Sequence, residues 1–281
     1  MNLAHAARAR PAGAAAAAFL LALVALALLG PILMAANPDS PVGTLATPPS
    51  AEHWLGTDLA RRDVLARLLS AAAPSLGVAA VAVTLSATIG AVSGAIAGLT
   101  GGWIDRAVSA TGDVILALPR LVLLVAILGL LARDSGQRFL VVSVALGLTG
   151  WPGLARVVRG QVRSLREQDF VTSARAIGLT EGQVLRRHIL PHVLPQVVGF
   201  AALAAGGTLL TDAALAFLDI GGAGGRPTWG RMVLDGKNSL GSAPWISLAP
   251  AAVILAATVA LNLLGEAVSD ALDPRRSEGP R

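Results

Sequence analysis

Long runs of apolar residues, almost free of charge, constrain this chain more than any other feature. Pro11 to Asn37 carries no charge, nor does Leu68 to Ile104, and similar runs occupy 107–131, 139–158, 193–218 and 245–268. About 20 apolar residues of helix cross the roughly 30 Å hydrocarbon core of a bilayer. Lipid offers the backbone no hydrogen-bond partners, so runs of this length cross as helices. The pattern predicts an all-α integral membrane protein with six transmembrane helices. Composition points the same way. Of 281 residues, 54% are hydrophobic and 14% charged, against about 25% charged in a soluble domain. There are no cysteines, which excludes disulfides and thiolate metal sites.

In chain order, residues 1–13 form a polar N-terminus and Ala14–Ala36 the first helix. That run exceeds the 7–15 apolar residues, roughly, of a secretory signal, so it is expected to be retained. Residues 37–73 are polar and lie outside the membrane. Within them, His53 and Asp58 are candidates for metal ligands or for a structural turn; with no third ligand at matching spacing, the turn is favoured. The core at 74–268 holds the second helix, Pro74–Leu99, the third, Ala107–Leu131, and the fourth, Phe139–Val158. The fifth is Val193–Leu218, the sixth Trp245–Val268, and 269–281 is a short polar tail. Gly90, Gly94 and Gly98 recur every fourth residue, a spacing that lets two helix backbones approach closely. Pro119 should kink the third helix. Asp113 and Arg120 then lie two turns apart on one face, and Asp212 interrupts the fifth helix. Intramembrane charges mark solute paths or structural pairs, so these three residues are candidates for a substrate path.

Residues 159–192 break the apolar pattern with a polar, arginine-rich loop. Phe170, Ala174 and Ile177 recur at i, i+4 and i+7, one face of a short helix. Gly178 suits the left-handed position that ends a helix. Thr180 and Gln183 have capping-box spacing for a second helix. Arg186, Arg187 and His188 suit its C-terminal dipole, and Pro191 and Pro195 lead into the next apolar run. Helix, glycine turn and helix is also the form of a DNA-binding helix-turn-helix. The apolar flanks leave no room for a third packing helix, so no nucleic-acid partner is expected.

Ala174-Arg-Ala-Ile-Gly178 followed by Arg187-His-Ile-Leu-Pro191 resembles the EAA loop of ABC importer permeases, and more narrowly of the dipeptide/oligopeptide/nickel permease family. The family's Glu-Ala-Ala is Thr172-Ser173-Ala174 here. Further likenesses follow in family order. They are His53–Asp58 with Arg62-Asp-Val64 (where Arg61 stands for the usual glycine), Gly101–Arg106, Thr211–Leu218 with Asp212 for the usual Glu, Pro227–Gly230, Asn262–Glu266 and Asp270–Pro274. The resemblance implies a type I ABC importer permease in a bacterial plasma membrane. It moves di- or oligopeptides, or a related solute such as a nickel chelate, glutathione or haem, by alternating access. It implies as partners a second permease, two ATPase subunits and an extracytoplasmic binding protein. It also implies that Phe170, Thr172, Ser173, Ala174, Arg175, Ile177, Gly178, Leu179, Leu190 and Pro191 couple the chain to an ATPase.

The chain contains no phosphate-cradling G-x-x-x-x-G-K-[ST] sequence, since its only lysine, Lys237, is followed by Asn238. ATP and Mg²⁺ are therefore expected on partner subunits, with no cofactor bound by this chain. No H-E-x-x-H occurs, and the four histidines lie in loops or at helix ends, so an enzyme is not expected. A secondary transporter is the competing reading; only Asp113, Arg120 and Asp212 are available for its ion relay. With the N-terminus inside, thirteen arginines fall on the inner side and eight basic residues on the outer, the positive-inside arrangement. A reporter fused after Gly182 is therefore expected to behave as cytoplasmic and one after Gly225 as external. Opposite signals at either point overturn that orientation.

Overall fold

The computed structural model describes residues 11–33, 38–131, 137–221 and 226–272. The expected N-terminus up to residue 10, the last residues of the expected first helix and the tail from 273 lie outside them. The helices are α1 (Pro11–Leu33), α2 (Val64–Thr100), α3 (Gly102–Ala117), α4 (Arg120–Leu131) and α5 (Arg138–Arg166). Then come α6 (Asp169–Ala176), α7 (Glu181–Val184), α8 (Leu190–Phe217), α9 (Trp229–Gly236) and α10 (Trp245–Leu272). No β-strand forms among the described residues. Among the described residues, five helices are long and apolar enough to cross a membrane. The pair α3 and α4 passes the same test jointly and makes six if taken as one broken span.

The helices outrun the apolar runs that predict them. Asp63 starts α2 by accepting the Ala66 amide at 2.8 Å, ten residues before the expected Pro74. At 1.5 Å per residue its 37 residues extend about 55 Å, well beyond the hydrocarbon. Likewise α5 continues past Val158 to Arg166. The expected third helix is corrected more sharply. The chain breaks at Leu118–Pro119 and turns by 90°. Proline lacks an amide proton and disfavours a helical residue before it, and Leu118 is extended. Asp113 and Arg120 thus sit on two separate helices and do not share a face.

The glycine stripe faces the backbone of α5. A Cβ placed on Gly90 would lie 2.9 Å from the Trp151 carbonyl oxygen; on Gly94, 2.5 Å from that of Ala155; on Gly98, 2.7 Å from that of Arg159. Close approach of backbones replaces the hydrophobic drive that lipid cannot supply. Gly206 and Gly265 seat α8 against α10 in the same way, meeting Asn262 and Leu203. The first helix packs on the outside of α10 through Ala16, Leu20 and Ala260.

At the end of the bundle farthest from α6, residues 38–63 fold over α2, α9 and α10. Trp229 donates its indole N–H to the Leu68 carbonyl and its amide to Ser75 Oγ, both at 3.0 Å. Trp245 reaches the Thr57 carbonyl at 3.2 Å. Gly94→Val should cost about 1–3 kcal/mol by overpacking the α2–α5 seam and lower membrane abundance. Gly160→Ala, which meets nothing within 4 Å, should not. Thermal unfolding of the purified chain in mild detergent checks the pair, and equal stability contradicts the seam.

Candidate functional site

The polar loop forms two short helices around Gly178. The α6 helix ends in two capping bonds: Leu179 N–H to the Ala174 carbonyl at 3.2 Å and Gly178 N–H to the Arg175 carbonyl at 2.9 Å. This is a Schellman cap, whose C′ residue adopts a left-handed conformation, and Gly178 has φ +90°. The capping box forms next. Thr180 Oγ1 accepts the Gln183 amide, and Gln183 Oε1 accepts the Thr180 amide at 2.9 Å. Beyond α7, residues Leu185–Ile189 make a π-helical turn that runs into α8 without a break. The Leu190 amide bonds to Leu185, five residues back. Widening the turn there relieves the clash of the Pro191 ring with the carbonyl four residues earlier. Pro191 and Pro195 therefore lie within the helical run rather than closing the loop.

One side of this unit is built into the bundle. Val171, Ala174, Val184 and Ile189 are buried with Leu154, Val158 and Val162 of α5 and Ala95 of α2. Leu179 and Leu190 pack against the same cluster. Arg166 donates to the Leu99 carbonyl at 2.9 Å, tying the end of α5 to the end of α2. Arg175 bridges Glu181 at 2.8 and 3.0 Å and also reaches the Arg166 carbonyl at 3.3 Å. The other side is open. Phe170, Thr172, Ser173 and Ile177 are exposed, as is Pro191. Ile177 is 78% exposed, an unusual position for an isoleucine with no cover. Phe170 stacks on His192 with ring centroids 5.4 Å apart.

The expected shared face of Phe170, Ala174 and Ile177 is corrected here. Ala174 is 4% exposed and turned inward, because the apolar end of α5 receives Val171 and Ala174 as one stripe. Leu179 and Leu190 likewise serve the interior. Phe170, Ser173 and Ile177 lie on the outer side of α6, with Thr172 also exposed.

The candidate intramembrane charges do not converge. Asp113 accepts a hydrogen bond from Arg156 and is largely exposed. Arg120 reaches the Leu146 carbonyl at 3.4 Å, while its buried Nε has no hydrogen-bond partner among the described residues. Asp212 is 2% exposed, and its Oδ1 is buried with no hydrogen bond among the described residues.

Sequence reasoning missed two sets of charges. Asp105 pairs with Arg159, one bond being 2.7 Å, and fastens α3 to α5. Arg67, nearly buried, joins Asp58 at 3.0 Å to Asp235 at 3.2 Å, with Arg62 on Asp58 at 2.7 Å. His53 bonds Asp63 at 2.7 Å, so His53 and Asp58 have separate partners and do not face one ligand. Asp235 stands 168 residues from Arg67, and no local pattern announces such a pair. Arg61 adopts φ +65°, the conformation suited to the glycine it replaces, and its guanidinium holds the Gly43 carbonyl at 2.8 and 3.0 Å.

Residues 90–278 match the family described as binding-protein-dependent transport system inner membrane component. The chain is 37% identical over 227 residues to the dipeptide transport system permease protein DppC of Alkalihalophilus pseudofirmus, covering 81% of this chain and 73% of that one. It is also 37% identical over 227 residues to the glutathione transport system permease protein GsiD of Escherichia coli, with 81% and 74% covered. Among solved structures, inward-facing MetNI methionine ABC transporter is similar in fold. That match has a TM-score of 0.58 and 20% identity, and covers 74% of this chain and 97% of the other. The site built on α6 and α7 thus lies within the matched segment, and the chain belongs to the family of binding-protein-dependent transport system inner membrane components.

Proposed function

We propose that this chain is the permease subunit of an importer for dipeptides or a closely related small peptide, with α6 and α7 as its contact with an ATPase. The observation that carries the proposal is the two-sided loop. Its inner face is continuous with the core at the ends of α2 and α5, while Phe170, Ser173 and Ile177 stand uncovered outside. A helix presenting an apolar face to a groove is a common mode of docking. Force applied to that face reaches α2 and α5 directly, through Ala174, Val171 and the Arg166–Leu99 bond. The equal identity to dipeptide and glutathione permeases favours short peptides as solute.

In this reading ATP and Mg²⁺ are held by two ATPase subunits, and a second, related permease completes the pore. A binding protein delivers solute to the face capped by residues 38–63, both termini are cytoplasmic, and the helices alternate access. Asp212 is assigned to the solute path or its gate, because a charge at helix centre costs about 2.5–3.5 kcal/mol on insertion scales and no partner offsets it among the described residues.

Two variants separate coupling from folding. Ser173→Arg alters only the open face and should leave membrane abundance unchanged while transport and ATPase co-purification fall at least tenfold. Ala174→Arg forces a charge into the buried cluster and should lower abundance itself. Undiminished transport by Ser173→Arg overturns the docking face. For Asp212→Asn, abundance should hold and uptake of labelled dipeptide should slow; normal uptake at every substrate concentration leaves Asp212 a structural role.

A further inference from the structure

Between α2 and the start of α8 lies an open groove of about 360 Å³. Ala91, Leu190, Pro191, Val193, Leu194 and Val197 supply its apolar wall. The one charged side chain on it is Arg186, in the π-helical turn. Among the described residues neither Arg186 nor its neighbour Arg187 has an ion-pair partner, and both are exposed. Leu194, at 60%, is also exposed.

An apolar groove on a membrane helix does not remain empty, since lipid chains or another helix fill it. The charge decides between them. An occupant must place apolar length along Ala91, Leu194 and Val197 and an anion beside Arg186. A helix from a partner meets the first need but requires a carboxylate at one fixed position. A phospholipid meets both through its covalent structure, with an acyl chain joined to a phosphate. Guanidinium groups bind phosphate through paired N–H donors. Basic pockets between transmembrane helices favour anionic headgroups, because a zwitterionic headgroup carries its own neutralising ammonium. We propose that the α2–α8 groove is a binding site for an anionic phospholipid, with its acyl chain on the aliphatic wall and its phosphate on Arg186. The site does not depend on the solute carried; its wall shares Leu190 and Pro191 with the segment assigned to coupling, whereas Arg186 and Leu194 lie outside that assignment.

The test uses the full chain, purified in mild detergent with the subunits that accompany it and stripped of lipid. Native mass spectrometry then follows titration with phosphatidylglycerol or with phosphatidylcholine of the same acyl chains. Phosphatidylglycerol should bind about tenfold more tightly, a difference of about 1.4 kcal/mol. Arg186→Gln should abolish that preference and Arg186→Lys restore part of it. Arg186 is exposed and makes no ion pair or side-chain hydrogen bond among the described residues, so these variants should keep the fold, which unchanged thermal unfolding of each variant checks. Leu194→Trp, which fills the groove, should weaken both lipids. Equal binding of the two lipids by the unaltered chain overturns the site, as does a preference that survives Arg186→Gln. Because the chain has no cysteine, Leu194→Cys supplies a unique crosslinking point. A crosslink from it to another polypeptide in native membranes puts a helix in the groove and also overturns the proposal.

Discussion

The seam between α2 and α5 is the contact on which the rest of the structure depends. In water, two apolar helices associate because burial removes surface from solvent. In lipid that gain vanishes, and dispersion between closely packed atoms must hold the helices together. Three glycines one turn apart allow it, each bringing α2 within van der Waals reach of an α5 carbonyl. Every other part of the site hangs on this pair. The loop that carries α6 and α7 packs against one end of it through Ala95, Val158 and Val162. The short α3 helix is tied to α5 by Asp105–Arg159 and Asp113–Arg156. Trp229 and Arg67 attach the opposite cap to α2.

Charges in this chain are kept to the ends of the bundle, with few exceptions. A buried ion pair is retained only where several partners share its desolvation. Arg67 meets that condition, since Asp58 and Asp235 both accept from it and Asp58 also takes two backbone amides. The network joins α2 to α9, which are far apart in sequence, and so fixes the cap's position over the bundle. Arg61 shows how a departure from a sequence pattern is absorbed. A side chain at positive φ costs about 1 kcal/mol or more, and two bonds to the Gly43 carbonyl offset part of that cost.

The short α6 helix has two unlike sides, one packed into the bundle and one open. Val171 and Ala174 face the core, and Phe170, Ser173 and Ile177 face out. The Schellman cap, the capping box and the Arg175–Glu181 bridge make the turn between the two helices stiff. The loop and the ends of α2 and α5 thus form one packed unit.

The sequence by itself determined the features that depend on near neighbours. Apolar length gave the all-helical class, glycine spacing located the close-packed stripe, and Gly178, Thr180 and Gln183 defined the turn. Each of these is a local matter of hydration, backbone sterics or capping. The permease family was legible because several such motifs occur in order. Tertiary structure alone decided where helices stop and which way side chains turn. The polar ends of α2 and α5 continue as helix because capping and packing hold them, which an apolar count does not register. Pro119 announced a kink, but its 90° turn depends on how α4 packs against α5. Ala174 looked like part of an outward face until the end of α5 received it, and Arg67 found Asp235 across 168 residues. These outcomes depend on neighbours distant in the chain, and side-chain periodicity carries no information about such neighbours.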